Sequence, residues 1–355
     1  MRYCFSDSIT IGNTLITEQS PTFIIAEAGV NHNGNIEKAK QLVKAAAVIG
    51  ASAIKFQMFY PDELILKTVE KADYQKHTSG LGSQYEMLKE LTLSIEDIST
   101  LKDIAISEGI SFICTPFDIR SLNELKLLNI DAIKIASTDT TNIPFLKLAS
   151  QVSQPVIIST AMTYFAEIER AISTFCENNK TNISLLQCTG NYPAPLGEIN
   201  LRILSKYKSI FECIVGLSDH SIGTIVAELS VAAGAKIIEK HMTLDKTLPG
   251  PDHRASMEPD EFKKLISKVR NVELILGREE KILTPSEIKN RKFLQKSIVA
   301  IRNIRKGQKI AVDDIKMIRS GGKGISPVYW NEISKMYTQK EISEGQIIEW
   351  DDLRW

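Results

Sequence analysis

Two histidines close successive apolar runs in the second half of the chain: "CIVGLSDH" ends at His220 and "AKIIEKH" at His241. If these runs are neighbouring strands, about 5 Å apart, both imidazoles can reach one cation. Two histidine ligands would leave positions open for water and substrate oxygens, as at a catalytic rather than a structural divalent metal. A lone histidine at a strand end is ordinarily structural; a pair on one face is not so easily explained. Because strand side chains alternate between faces, Ser218 shares a face with His220 and Glu239 with His241.

Two lysines have the same character. Lys55 in "AIKFQMF" shares a face with Gln57, and Lys134 lies in "DAIKIAS". With the hydroxyls of Thr115, Ser137, Ser159 and Ser218, they could hold a small, multiply charged anion such as a phosphate ester. Glu27, Glu239 and Asp252 could accept hydrogen bonds from a polyol. The same parity pairs Ile25 with Glu27, Ile113 with Thr115, Ile157 with Ser159 and Leu185 with Gln187 as inward residues. An anion site, a metal and polyol acceptors together point to the addition of a phosphorylated carbon fragment to a sugar carbonyl. Lys240 is off parity and reads as an outward, surface ion-pairing residue. Asp219, also off parity, reads as orienting a neighbour, and Asp245 and Lys246 as loop surface.

The elements that must position these groups follow a rhythm. "TFIIAEAG" is followed by the helical "NIEKAKQLVKAAAVIG", and the pairing recurs with "ASAIKFQMF", "ISFICTPF", "DAIKIAS", "PVIISTA", "ISLLQCTG", "CIVGLSDH" and "AKIIEKH". Eight strands alternating with helices fit an α/β (β/α)8 TIM barrel, whose usual length is about 250 residues. An open doubly wound sheet lacks its GxGxxG after the first strand. Such a barrel keeps its site at the C-terminal ends of the strands, where every polar residue named above falls. "SITIGNTLI" ahead of it reads as a hairpin turning at Gly12-Asn13. The barrel with its hairpin is expected over residues 1–283, a polar linker over 284–293, and a small β-rich domain over 294–355, where short alternating runs are punctuated by glycine.

The 355 residues carry 43 Lys plus Arg against 43 Asp plus Glu, so no global charge draws the chain to nucleic acid or to anionic membrane. The start lacks a signal-peptide pattern and no apolar run is long enough to span a bilayer. Five scattered cysteines (Cys4, Cys114, Cys176, Cys188, Cys213) without CxxC pairing fit reduced thiols, hence a cytoplasmic location.

At these residues the chain resembles the N-acetylneuraminate (sialic acid) synthase family over essentially its whole length. The matching segments are "IAEAGVNHNG", "KFQMF", "CTPFD", "KIAS", "IST", "NYPAP", "GLSDHS", "EKHMTLDK" and "GPDHRASMEPDE", with "IRKGQKI" and "IRSGGKGISP" as landmarks of an antifreeze-like (SAF) domain. The resemblance implies condensation of phosphoenolpyruvate with an open-chain N-acetylmannosamine-type sugar and release of phosphate. The implied cofactor is a divalent metal, most commonly Mn2+, with Mg2+ or Co2+ as alternatives, held by His220 and His241. Lys55, Thr115, Lys134, Ser137, Ser159 and Ser218 would hold phosphoenolpyruvate; Glu27, Tyr192 and Asp252 would contact the sugar; Glu27 or Glu239 would manage protons. Arg319 would reach in from the partner of a domain-swapped homodimer. The chain departs from the family pattern at Thr138, Asp139, Ala161, Gly190 and Ser320, which bears on which sugar is used. "GPDHRASMEP" resembles the neuraminate and legionaminate branch. The competing readings are a Schiff-base aldolase built on Lys134 and a non-catalytic carbohydrate-binding protein.

Overall fold

A computed structural model describes residues 3, 5–71 and 82–355. The chain divides into two compact units, Met1–Gly277 and Arg278–Trp355.

The first unit is the expected barrel. Strands β1 (Ile9–Ile11) and β2 (Thr14–Ile16) form the hairpin, turning where Gly12 adopts a φ of 56°. A Cβ at Gly12 would come within 2.6 Å of Ser111 Oγ, so the position needs glycine for both space and conformation. Eight parallel strands then close on themselves: β3 (Phe23–Gly29), β4 (Ala53–Met58), β5 (Ser111–Pro116), β6 (Ala132–Ile135), β7 (Val156–Ser159), β8 (Ile183–Cys188), β9 (Ile214–Asp219) and β10 (Ile237–His241), with β10 pairing back onto β3. Helices follow the strands, among them Ile36–Val48, capped by the Asn35 side chain, and Ile95–Ser107 and Ile119–Leu128, opened by capping boxes at Ser94 and Asp118.

Two apolar layers hold the barrel. Outward strand residues such as Ile24, Phe56 and Phe112 pack with helix residues such as Leu42, Leu101 and Phe175. Inside, Ile25, Ala53, Ile113, Ala132, Ile157, Leu186, Ile214 and Ile237 form one layer, and Ile9, Ile11 and Ile16 of the hairpin join it. The interior is therefore solid below and polar only at the C-terminal mouth.

β8 departs from the expected parity. Leu186, not Leu185, points inward, so Cys188 rather than Gln187 reaches the mouth. Gln187 faces the helices, where its Nε2 donates to Ile199 O at 3.0 Å. In "ISLLQC" both faces are apolar because both are buried, and alternation carries no signal there.

The second unit opens with a helix, Pro285–Leu294, over the stretch that reads as a polar linker; Thr284 and Glu287 form its capping box. β11 (Lys296–Ala300) pairs antiparallel with β12 (Ile315–Arg319), and β13 (Tyr337–Thr338) with β14 (Leu353–Arg354), around a core that includes Ile298, Ile304, Ile325 and Ile348. Cys114, Cys176, Cys188 and Cys213 form no disulfide among the described residues, and Cys4 lies outside them. Among the described residues no helix is long and apolar enough to cross a membrane.

Candidate active site

The mouth of the barrel encloses a cavity of about 470 Å3 whose lining includes Glu27, Lys55, Gln57, Thr115, Lys134, Ser137, Ser159, Tyr192, Ser218, His220, Glu239, His241 and Asp252. All but one of the residues assigned a catalytic, substrate-binding or metal-binding role from the sequence therefore meet in one place. The exception, Arg319, ends β12 in the second unit, where it pairs with Lys296.

Each group is placed by its strand. β3 supplies Glu27, β4 Lys55 and Gln57, β5 Thr115, β6 Lys134, β7 Ser159 and β10 Glu239 and His241. Ser137 opens the turn after β6, and its Oγ accepts from Ala161 N–H at 2.9 Å. His220 follows β9 directly.

Four charges form the centre. Lys55 Nζ lies 3.3 Å from Glu27 Oε2 and 3.2 Å from Glu239 Oε2, and it donates to Thr115 Oγ1 at 3.2 Å. Lys134 Nζ lies 3.7 Å from Glu239 Oε1, which also accepts from Ser218 Oγ at 2.8 Å. Gln57 Nε2 donates to Glu27 Oε1 at 3.1 Å. All four charged side chains are buried, and burial sets their titration. Burial raises Glu27 to about 7 against the pull of Lys55. At Glu239 burial pushes the same way, but Lys134 and Lys55 together reverse it and hold the carboxyl well below its usual range. Burial lowers Lys134 despite Glu239, whereas Lys55, between two carboxylates, is raised in spite of burial. One carboxylate thus stays ionised as counter-ion to both lysines, and the other exchanges its proton near neutrality. Among the described residues Ser159 Oγ is buried with no hydrogen-bond partner, as expected of a site built for a ligand, and Glu27 Oε2 and Glu239 Oε2 are buried with Lys55 as their ion-pair partner.

The histidines sit beside this cluster with ring centroids 5.4 Å apart. His220 Nδ1 lies 2.8 Å from Thr189 O, a contact that requires Nδ1 to donate and leaves the Nε2 lone pair open. His241 Nδ1 is buried and unpartnered, 3.9 Å from Asp252 Oδ2. Burial lowers His220 to about 4, and burial with the neighbouring His220 takes His241 well below its ordinary value. Two neutral imidazoles with available nitrogens fit a divalent cation. Among the described residues no group of three or more His, Cys, Asp or Glu side chains is arranged for a metal. Tyr192 stacks on His220 at 4.0 Å and meets His241 edge-on. Burial raises Asp252 to about 6.

Three further features bear on the site. Cys188 lines the cavity, 3.8 Å from His220 Nδ1, with its thiol pushed up to about 11 by burial. The loop bearing Asp252 is tied to the loop after β3: Asn33 Nδ2 donates to Pro249 O and Asn31 Nδ2 to Met242 O, both at 2.9 Å, and buried His253 joins Asn33 Oδ1 to Thr243 Oγ1. Lys240 is ion-paired, as its parity implies, but to Asp219 in the interior rather than at the surface: it is 1% exposed.

The profile of the NeuB family matches residues 42–281 and that of the SAF domain residues 295–354. The N,N'-diacetyllegionaminic acid synthase of Legionella pneumophila is 43% identical over 336 residues, covering 93% of this chain and 94% of the relative. That of Campylobacter jejuni is 39% identical, covering 92% and 98%. The crystal structure of the N-acetylneuraminic acid synthetase of Leptospira borgpetersenii, in complex with citrate, superposes with a TM-score of 0.72 at 35% identity, covering 81% of this chain and 96% of that one.

Proposed function

The chain belongs to the NeuB family of nonulosonic acid synthases and ends in a SAF domain, and from that premise we propose that it condenses phosphoenolpyruvate with an open-chain N-acetylated mannosamine-type sugar, releasing phosphate by C–O cleavage. The observation that carries this reading is the pair of buried lysines held against two carboxylates of opposite protonation behaviour, next to two neutral histidines.

Lys55 and Lys134 hold the carboxylate and phosphate of phosphoenolpyruvate. Ser159, whose hydroxyl has no hydrogen-bond partner among the described residues, completes the anion cradle with Ser137 and Thr115, which line the same cavity. The sugar lies toward Tyr192, Glu27 and Asp252, with its carbonyl carbon facing C3 of phosphoenolpyruvate. A divalent metal, Mn2+ by resemblance, would be held by His220 and His241 and would supply Lewis-acid polarisation of that carbonyl. Attack by C3 leaves a cationic C2, to which water adds; loss of phosphate from the tetrahedral carbon completes the reaction. Glu27, titrating to about 7, is suited to take the proton from that water, while Glu239 stays ionised between the lysines. Arg319 is proposed to close the site from a partner subunit. The identity to the two legionaminic acid synthases favours a 2,4-diacetamido-2,4,6-trideoxymannose over N-acetylmannosamine. Neither a Schiff-base aldolase nor a carbohydrate-binding module finds support among these relatives.

The test is phosphate release from phosphoenolpyruvate with Mn2+ against each sugar in turn. Release that depends on the sugar, with the larger kcat/KM for the diacetamido sugar, is expected. Release from neither sugar would overturn the reading, and a preference for N-acetylmannosamine would overturn the substrate assignment alone.

A further inference from the structure

Behind the two histidines lies an ion pair with no contact to the cavity. Asp219 and Lys240 are partners in the β9–β10 register, and each immediately precedes a histidine, His220 and His241. Their side chains point away from the barrel interior, opposite in parity to Ser218, Glu239 and His241. Lys240 Nζ donates to Asp219 Oδ2 at 2.6 Å and to Ser221 O at 2.7 Å. Asp219 Oδ1 in turn accepts from Ser221 N–H at 2.8 Å and from Ser221 Oγ at 2.6 Å. The side chains of the pair are 1% and 0% exposed.

Burial of two charges needs a reason. Stripping an ammonium and a carboxylate of water costs several kcal/mol per ion, and well-packed apolar side chains in their place are often as stable or more so. An aliphatic pair would fill the volume, but it could neither accept from the Ser221 amide nor donate to its carbonyl. The pair therefore fixes what packing alone leaves loose: the backbone on both sides of His220, and the offset of that turn from the end of β10. On the inner face Ser218 and Glu239 make the matching cross-strand bond. Together the two bonds lock the strand ends at the two positions before each imidazole.

We propose that Asp219 and Lys240 are positioning residues that set the separation of His220 and His241 and so the affinity of the site for its divalent metal. The proposal rests on the reading that these histidines share a metal. Outer residues that orient metal ligands commonly account for about 10–100-fold in metal affinity, and this pair acts on both ligands at once.

The experiment measures Mn2+ binding to the metal-free full-length protein by titration with electron paramagnetic resonance. It also measures phosphoenolpyruvate binding by calorimetry and the thermal midpoint. The principal variant is Lys240→Met/Asp219→Asn, which removes both charges at similar volume and keeps a side-chain oxygen for Ser221. Asp219→Glu, which keeps the charges but lengthens one arm by a methylene, is the second variant should the first not fold. In either folded variant the Mn2+ dissociation constant should rise at least about tenfold, with the dissociation constant for phosphoenolpyruvate, held on the lysine side of the cavity, changing far less. An Mn2+ affinity within about threefold of wild type, or equal losses for Mn2+ and phosphoenolpyruvate, would overturn the proposal and leave a merely structural pair. Absence of Mn2+ binding in the wild type would instead remove the metal reading on which it rests.

Discussion

Glu239→Gln removes the one carboxylate that faces both buried lysines, at 3.2 Å from Lys55 and 3.7 Å from Lys134. Lys55 keeps Glu27, but Lys134 loses its ion-pair partner and keeps the Ile135 carbonyl at 3.3 Å and the more distant pull of Glu27. Removing one partner of a buried ion pair costs about 3–5 kcal/mol, and escape of Lys134 into its neutral form, which burial already favours, places the expected loss near about 3. At about 2–4 °C per kcal/mol for a unit of this size, the melting point should fall by about 6–12 °C. The charge logic also fixes the sign of the pH dependence. Glu239 titrates below its unfolded value, so its contribution is complete above the ordinary carboxylate range, begins to fade as pH falls through it, and is gone below the depressed value. The gap between wild type and variant should close accordingly in acid. Phosphoenolpyruvate should replace the missing charge. At a hundred times its dissociation constant a ligand adds about 2.7 kcal/mol, and the variant, with two under-neutralised lysines, should be stabilised more than wild type. Thermal melts with and without phosphoenolpyruvate, from pH 3 to about 8, provide the assay. Equal melting points near neutrality, or equal stabilisation of both proteins by phosphoenolpyruvate, would refute the reasoning.

Other consequences can be checked separately. EDTA should abolish turnover and Mn2+ restore it, and His241→Ala should lose at least about 100-fold in rate; undiminished turnover by that variant in EDTA would remove the metal role. Glu27 titrates above its unfolded value, so ionising it opposes folding, and wild type should lose stability relative to Glu27→Gln as pH rises from about 4.5 to about 7. Parallel denaturant-unfolding curves across that window would contradict the assignment. If Arg319 acts across a two-fold dimer, inactive His220→Ala and Arg319→Ala chains, reassembled together, should recover about a quarter of wild-type activity. No recovery with verified subunit exchange would place Arg319 in its own chain's site or outside any site.

The barrel was legible because its signal is repetitive: eight apolar runs, each followed by an amphipathic stretch, with glycine at the turns. The site was legible because charge inside a barrel is rare, so Glu27, Lys55, Lys134, Glu239 and His241 stood out against branched apolar neighbours. Parity failed on β8, where Leu185 and Leu186 are both buried and neither face announces itself. Lys240 points outward and ion-pairs as its parity implies, but an off-parity lysine ordinarily seeks water; its burial against Asp219 is visible only once β9 and β10 are in register. The capped helix at Pro285–Leu294 had a signature in "TPSE", but its exposed, polar face reads equally as connector. The ties from Asn31 and Asn33 to the loop bearing Asp252 join residues more than 200 positions apart, a distance no local pattern bridges.

The most direct test of the central claim follows the oxygen that bridges carbon and phosphorus. Phosphoenolpyruvate labelled with 18O at that position, incubated with the protein, Mn2+ and the diacetamido sugar, should give phosphate that carries the label, in amounts equal to the nine-carbon acid formed and only when sugar is present. Label retained in the sugar acid would contradict C–O cleavage. A product made from pyruvate without phosphate release, trapped by borohydride on Lys134, would contradict the account as a whole.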